Sequence, residues 1–270
     1  MRGRAGEALF AAETDALEQQ RIDRLYLRFF DIDLGAHGTP APIAEVSLAA
    51  GAQLPATLEV LPVVFIRNRA LDGMDRGAGR ALAKKIRSQI DLRAAALGVL
   101  PKEIQLDCDW TGETREPYFA LLEALREDAA ARSVRVSATV RLHQIKYRKQ
   151  TGVPPVEQGM LMVYNMGEFG PGDEQRGIYD RKAAERYLGR LSDYPLPLDV
   201  ALPIYAWTLQ LRGGRVVALL QRVDPAAALL PTRVERRRAL LRRTPSDAAR
   251  TFANARSQLA RLPGGRALPL

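Results

Sequence analysis

Two aspartates spaced two residues apart, Asp107 and Asp109, are the side chains of this sequence best suited to catalysis. They close a mostly apolar run, residues 104–111, which reads Ile-Gln-Leu-Asp-Cys-Asp-Trp-Thr. Side chains two apart in a β-strand point to the same face, so both carboxylates are expected to share one surface. Two like charges on a buried face are costly unless they serve a site, which favours acid–base chemistry. The alternative is structural: one acid in an ion pair and the other at the strand end.

The stretches around this pair alternate between strand-like and helix-like patterns. Besides the strand that carries the aspartates, apolar runs predict strands at residues 25–33, 57–67, 134–143, 159–165 and 198–207. Helical spacing predicts helices over residues 5–20, 77–97, 116–131 and 180–191, and a hairpin over residues 208–220. Strands that alternate with helices and are mostly apolar indicate a parallel sheet covered by helices.

Polar side chains recur where the predicted strands end, which is where such folds place their chemistry. The set comprises Asp31, Asp33, Arg67, Asn68, Arg141, His143, Tyr164, Asn165, Tyr205 and Trp207, in addition to the aspartate pair. No glycine-rich phosphate loop follows a predicted strand, so no nucleotide cofactor is expected.

Three segments together resemble the motifs of one enzyme family. Residues 106–111 (Leu-Asp-Cys-Asp-Trp-Thr) resemble the Asp-x-Asp-x-Glu motif on the fourth strand of chitinase-like, family 18 glycoside hydrolases. Residues 162–165 (Met-Val-Tyr-Asn) are similar to their sixth-strand Met-x-Tyr-Asp, and residues 201–206 (Ala-Leu-Pro-Ile-Tyr-Ala) to their seventh-strand Gly-x-Pro-x-Tyr-Gly. The order and approximate spacing agree. The resemblance implies a (β/α)8 TIM-barrel fold, and the whole chain also resembles an uncharacterised group of bacterial barrel proteins.

The resemblance implies roles for individual residues. Asp109 takes the position of the aspartate that orients the substrate's acetamido group, and Tyr164 that of the tyrosine that contacts this group. Tyr205 and Trp207 are expected to line the sugar pocket, with Asn165, Arg141 and His143 as further candidate substrate contacts. Asp107 and Asp109 are the candidate catalytic pair.

The motif departs from the family at its most important position. Thr111 stands where the family has the glutamic acid that protonates the glycosidic oxygen, and a threonine hydroxyl cannot act as a general acid near neutral pH. Asn165 likewise replaces an acid. Either aspartate could supply the proton if burial raised its pKa, or Glu113 could swing in. The expected ligand is therefore a carbohydrate, with or without hydrolysis.

The predicted barrel lacks strands at both ends. Only two predicted strands precede the aspartate strand, where the family has three, and no eighth strand follows residue 207. We therefore expect an incomplete (β/α)8 barrel over residues 1–223 and a basic, arginine-rich helical tail over residues 224–270. A truncated or misassigned reading frame would explain both gaps, since an open parallel barrel leaves two unpaired edges.

Several side chains have a structural alternative to a binding role. His143 is either a sugar-contacting or acid–base histidine, or a hydrogen-bonded residue at a strand end. Arg28, Arg67 and Arg141 are expected to pair with the central acids more than to bind substrate. Cys108 and Trp110, which alternate with the aspartates, should point away from them and pack against helices.

Composition excludes several classes of protein. One cysteine and two histidines argue against disulfides, a cysteine-rich zinc site and a multi-histidine metal centre. No apolar run approaches the ~20 residues that cross a bilayer. No secretory signal is evident either, so the chain as given is expected in the cytoplasm, or exported if an upstream signal is missing.

The charge is concentrated at one end. The net charge is +9, and residues 224–270 hold ten arginines against three acidic residues. This distribution leaves three functional classes open: a carbohydrate-active enzyme, a carbohydrate-binding barrel without catalysis, and a nucleic-acid or protein-binding module that uses the tail. Nucleic acid is disfavoured, because the tail has few aromatic residues between its arginines.

Overall fold

The structure, a computed structural model, describes residues 8–9, 17, 19–48, 53–164, 185, 191–203, 208–212 and 215–220. Its strands are β1 Ala8–Leu9, β2 Arg24–Leu34, β3 Pro40–Ile43, β4 Ser47–Leu48, β5 Glu59–Ile66, β6 Glu103–Cys108, β7 Arg135–Arg141, β8 Gln158–Met162, β9 Leu198–Ala201, β10 Thr208–Arg212 and β11 Arg215–Leu220. Its α-helices are α1 Arg76–Leu97, α2 Arg115–Ala130, α3 Leu142–Lys146 and α4 Arg148–Thr151. Short 3-10 helices cover Asn68–Leu71 and Leu191–Asp193.

Seven strands form one sheet in the order β3-β2-β5-β6-β7-β8-β9. The pairs β2–β5, β5–β6 and β6–β7 are parallel, and β3 is antiparallel to β2. The predicted α/β class with a parallel sheet and covering helices is therefore confirmed. Among the described strands the sheet ends at β3 on one side and at β9 on the other, so the barrel is not closed.

The edge strand β3 was not predicted from the sequence. Its prolines, Pro40 and Pro42, lie opposite Leu34 and Ile32 of β2. Proline has no backbone N–H to donate, so in a sheet it suits an edge strand. An edge that carries prolines is a poor template for a further strand, which limits association through this side of the sheet.

Helices α1 and α2 pack closely together against the sheet. Gly79 lies where a Cβ atom would come within 2.2 Å of the backbone oxygen of Pro117 in the first turn of α2. Only glycine permits this approach. Leu82, Ile86 and Ile90 of α1 and Leu122 of α2 are almost fully buried, and α1 contacts β5 while α2 contacts β7. The helices thereby hold the strands whose carboxyl ends carry the predicted site.

Most predicted elements are confirmed to within a few residues. Asp75 caps α1 by accepting a hydrogen bond from the Ala78 N–H, and Gly98 ends the helix in the left-handed conformation (φ 67°). The hairpin is confirmed as the antiparallel pair β10 and β11. The helix predicted over residues 5–20 is wrong at residues 8–9, which form β1 and pair in parallel with β4. This pairing joins residues 39 positions apart, which a local pattern does not reveal.

The chain divides into two compact units. The first comprises residues 1–160 and 195–199, and the second residues 161–194 and 200–270. The predicted basic tail, residues 224–270, lies outside the described residues. Within the described part of the chain, no helix is both long enough and apolar enough to cross a membrane.

Candidate functional site

The end of β6 and the two residues that follow it alternate between acidic and buried side chains. Cys108 and Trp110 are fully buried, whereas the side chains of Asp107 and Asp109 are 17% and 57% exposed. Asp107 Oδ1 accepts hydrogen bonds from the Thr139 hydroxyl at 2.7 Å and from the Arg141 guanidinium at 2.9 Å. The predicted ion pair between Arg141 and a central acid is therefore present, and it occupies one carboxylate oxygen of Asp107.

Asp109 is the more exposed of the two acids and pairs with His143. The histidine Nε2 lies 3.3 Å from Asp109 Oδ1, and the histidine side chain is 49% exposed. The hydrogen bond from His143 holds the pKa of Asp109 below its ordinary value; burial opposes this, and the charges of His143 and Arg141 add to the lowering. Asp109 is therefore an ionised carboxylate near neutral pH, with a polar ring fixed beside it.

The location of His143 corrects one prediction. The sequence pattern extended the strand to His143, but β7 ends at Arg141 and residues 142–146 form helix α3. The Gln144 side chain accepts a hydrogen bond from the Arg141 N–H at 2.8 Å and thereby satisfies a backbone donor at the start of the helix. Leu142 and Ile145, three residues apart, bury the same side of α3. His143 consequently projects from a helix at the carboxyl end of the strand.

Trp110 anchors the loop that follows β6. Its indole N–H donates to the Thr151 carbonyl at 2.8 Å, and its own carbonyl accepts from the Gln144 side chain at 3.1 Å. Its ring stacks on Tyr118 of α2 with centroids 5.2 Å apart. The prediction that Trp110 packs against helices is confirmed, as is the burial of Cys108.

Thr111 is exposed, and its backbone is held by its neighbours. Its backbone N–H donates to the Thr114 hydroxyl at 3.0 Å, and that hydroxyl donates to Asn68 Oδ1 at 2.5 Å. Thr114 is buried, so this bond ties the loop after β6 to the end of β5. Glu113 is exposed on the same loop, and its suggested acid role stays a prediction.

The acids at the end of β2 form ion pairs of their own. Arg28 binds both oxygens of Asp31 through its Nε and Nη2 atoms, and Arg69 binds both oxygens of Asp33 at 2.6 Å. Arg67 Nε lies 3.0 Å from Asp33 Oδ2, although its N–H is not aligned for a hydrogen bond. Arg28 and Arg67 therefore form ion pairs as predicted, but their partners are the acids of β2 and not the central aspartate pair.

The remaining predicted contacts lie elsewhere in the chain. Tyr164 follows β8 by two residues, in the second unit, and its side chain is partly buried. Asn165, Tyr205 and Trp207 lie outside the described residues. A cavity of about 530 Å³ opens at the amino end of β5 and the carboxyl end of α1, where Leu54, Leu58 and Leu97 are among its lining residues. It is therefore distinct from the aspartate site at the carboxyl ends of the strands.

The residues that gather at the carboxyl ends of β5, β6 and β7 include several that the sequence did not single out. Three of them form hydrogen bonds with predicted residues that are at least 32 positions away in the sequence. These pairs are Thr114 with Asn68, Thr139 with Asp107, and Gln144 with Trp110. The described residues include no group of three or more histidine, cysteine or acidic side chains that could hold a metal ion. The site offers fixed hydrogen-bond donors and acceptors around one exposed carboxylate.

The pairing of His143 with Asp109 predicts a pH effect. Replacing His143 with alanine is expected to raise the Asp109 pKa, because the hydrogen bond that most favours the ionised form is lost. A group whose pKa is lowered by folding stabilises the fold above its ordinary pKa and loses that contribution as the pH falls through its lowered value. Carboxyl-carbon NMR titration of Asp109 measures the shift directly. The matched control is H37A, which removes the only other histidine and should leave the Asp109 midpoint unchanged.

Comparison with known proteins gives similarities of fold only. No protein-family model matches the chain, and no curated protein matches it. Similar solved structures include a chitinase from Chromobacterium violaceum ATCC 12472, at 14% identity over 75% of this chain and 68% of that chain, with a TM-score of 0.46. The spore cortex-lytic enzyme SleL of Bacillus megaterium QM B1551 is 15% identical over 82% and 56% of the two chains, with a TM-score of 0.48. A chitinase-like agglutinin from Robinia pseudoacacia is 15% identical over 71% and 66%, with a TM-score of 0.43.

Proposed function

We propose that this protein binds a carbohydrate at the carboxyl ends of β6 and β7 and does not hydrolyse it by the acid-catalysed route of the chitinase-like family. The observation that carries the proposal is the half-exposed Asp109, oriented by His143, in the segment that resembles the family's fourth-strand motif. This pair lies at the edge of the sheet where parallel α/β folds bind their ligands.

The chemistry around Asp109 suits a ligand rich in hydroxyl groups. An ionised carboxylate accepts two or more hydrogen bonds, as adjacent sugar hydroxyls require, and His143 and Thr111 add donors or acceptors. The partners of these groups are buried: Gln144 and Trp110 hold α3, and Thr114 holds the Thr111 loop. Fixed polar groups lose little freedom when a ligand binds, which favours affinity.

The same geometry argues against a family-type general acid. A glycosidic oxygen must be protonated as the bond breaks, and Thr111 cannot supply that proton near neutral pH. Asp109 has a lowered pKa and is therefore ionised. Asp107 already accepts from Thr139 and Arg141 through one oxygen, so it serves as an ion-pair partner that positions Arg141.

The test is a binding titration of the full chain with chitotetraose and with other tetrasaccharides, alongside an assay for released reducing ends. Wild type should bind at least one tetrasaccharide without releasing reducing ends. D109N should weaken that binding at least about tenfold, because a hydrogen bond to a charged group contributes about 1.5–3 kcal/mol. The control D72N removes an exposed carboxylate outside the site and should leave binding unchanged.

Two outcomes would contradict the proposal. Release of reducing ends by wild type that stops in D109N would make the protein a hydrolase that uses this pair. Absence of binding to every sugar, with salt-sensitive retention on DNA, would favour the basic segment 224–270 as the functional element.

A further inference from the structure

The short segment that follows β7 carries an exposed aromatic ring beside the aspartate site. Tyr147 is 48% exposed, and its backbone N–H donates to the His143 carbonyl at 2.8 Å. Residues four apart on a helical turn lie on the same face, so Tyr147 leaves the end of α3 on the same side as His143, the partner of Asp109. We call residues 143–149 the rim segment.

The rim segment is held rigidly from below. Gln144 is fully buried and donates to the Trp110 carbonyl. The Tyr147 carbonyl accepts from the N–H groups of Gln150 and Thr151 at 2.8 and 3.1 Å, and from the Thr151 hydroxyl. An exposed tyrosine on such a support presents a flat apolar face at little cost in conformational freedom. A pyranose ring offers a matching face of C–H groups.

The rim segment is also strongly basic. Lys146, Arg148 and Lys149 are all exposed, and the Lys146 ammonium lies 5.0 Å from the centre of the Tyr147 ring. Elsewhere on the described surface, helices α1 and α2 match their arginines with acids, as in Arg76 with Glu123 and Arg80 with Glu127. Among the described residues, no carboxylate lies within ion-pair distance of Lys146 or Lys149. The positive charge of these two lysines therefore lies close to the ring, with the Lys146 ammonium over one of its faces.

We infer that the rim segment recognises an acidic sugar ring, which stacks on Tyr147 while its carboxylate binds Lys146 and Lys149. This inference rests on the proposed function and names its ligand class: a polysaccharide that contains uronic-acid residues. An aromatic ring with cations close to it matches both features of a uronic acid: its face of C–H groups and its negative charge. A neutral sugar would contact only the Tyr147 ring. A polyanion without sugar rings would contact only the charges of Lys146 and Lys149.

The experiment titrates the full chain with tetragalacturonate and with its methyl ester, which keeps the rings and removes the charges. Wild type should bind the acid about tenfold more tightly than the ester. The double variant K146A/K149A should lose this preference and keep its affinity for the ester. Y147A should weaken both ligands by about the same factor, roughly tenfold, because both use the ring.

The control is K84A/K85A, which removes the same charge from an exposed part of α1. It should keep the preference for the acid. A preference that survives K146A/K149A, or that K84A/K85A removes equally, would overturn the inference, as would equal binding of a DNA oligonucleotide through the same lysines. If the ester or chitotetraose binds and D109N weakens it, but the acid has no advantage, the inference fails and the proposed function stands.

Discussion

Replacing Trp110 with alanine is expected to lower the free energy of unfolding by about 3–5 kcal/mol, the range for truncating a large buried aromatic side chain. The ring is fully buried, stacks on Tyr118 and meets Phe119 edge-on with centroids 6.0 Å apart. Its loss removes the stack and leaves the Thr151 carbonyl without its indole donor. Urea unfolding followed by circular dichroism gives the change.

The conservative variant W110F separates the two contributions. Phenylalanine keeps most of the ring contact and lacks the N–H group, so its cost is expected to be clearly smaller than that of alanine. In W110F the Thr151 carbonyl is a buried acceptor without its donor, which should lower the free energy of unfolding by about 1–3 kcal/mol. Equal losses in both variants would show that the hydrogen bond, and not packing, dominates at this position.

Trp110 also links stability to the site. The same residue fixes Gln144 through its carbonyl, and Gln144 orients the start of α3, which carries His143. Alanine keeps this carbonyl but loses the indole contacts to Thr151 and Tyr118 that hold it in place, so W110A should weaken sugar binding even under conditions in which the protein is folded. Unchanged sugar affinity in folded W110A would mean that α3 holds its position without the tryptophan.

The sequence predicted the parts of the site that depend on local periodicity. Alternation over residues 107–110, at the end of β6 and just after it, predicts the burial of Cys108 and Trp110 and the greater exposure of their acidic neighbours, because an extended chain has a two-residue period. The boundaries of α1 followed from Asp75 and Gly98, whose capping chemistry is also local. The role of Arg141 as an ion-pair partner followed from the shared carboxyl edge of parallel strands.

The parts that failed depend on contacts between distant residues. The predicted strand 134–143 extends to His143, whereas the turn into α3 is set by the Gln144 side chain, which also binds Trp110 34 positions earlier. Strand β3 contains two prolines and is stabilised by pairing with β2, so its own pattern is weak. Tyr147 has no periodic signal, because it is a lone tyrosine in a basic stretch.

The face of the sheet that carries Asp107 is polar well below the site, which is unusual for a barrel interior packed with aliphatic side chains. Glu103 begins β6 and is 2% exposed. It accepts hydrogen bonds from the Ser137 hydroxyl at 2.6 Å and the Tyr26 hydroxyl at 3.2 Å, and pairs with Arg135 at 3.0 Å. Tyr26 belongs to β2, two strands away in the sheet, so Glu103 links β2, β6 and β7.

Replacing Glu103 with alanine is therefore expected to cost about 3 kcal/mol of unfolding free energy, because the buried Ser137 hydroxyl and the partly buried Tyr26 hydroxyl both lose their acceptor. E103Q should cost less: an amide oxygen still accepts from Ser137 and Tyr26, and Arg135, half exposed, regains water. The exposed control E127A, which only loses Arg80, should stay within about 0.5 kcal/mol of wild type.

The Asp199 pKa, raised by burial and then by Glu103, should fall in E103A and E103Q alike, since both remove the neighbouring charge. A cost for E103Q equal to that of E103A would assign the stabilisation to the charge of Glu103 and contradict the hydrogen-bond account.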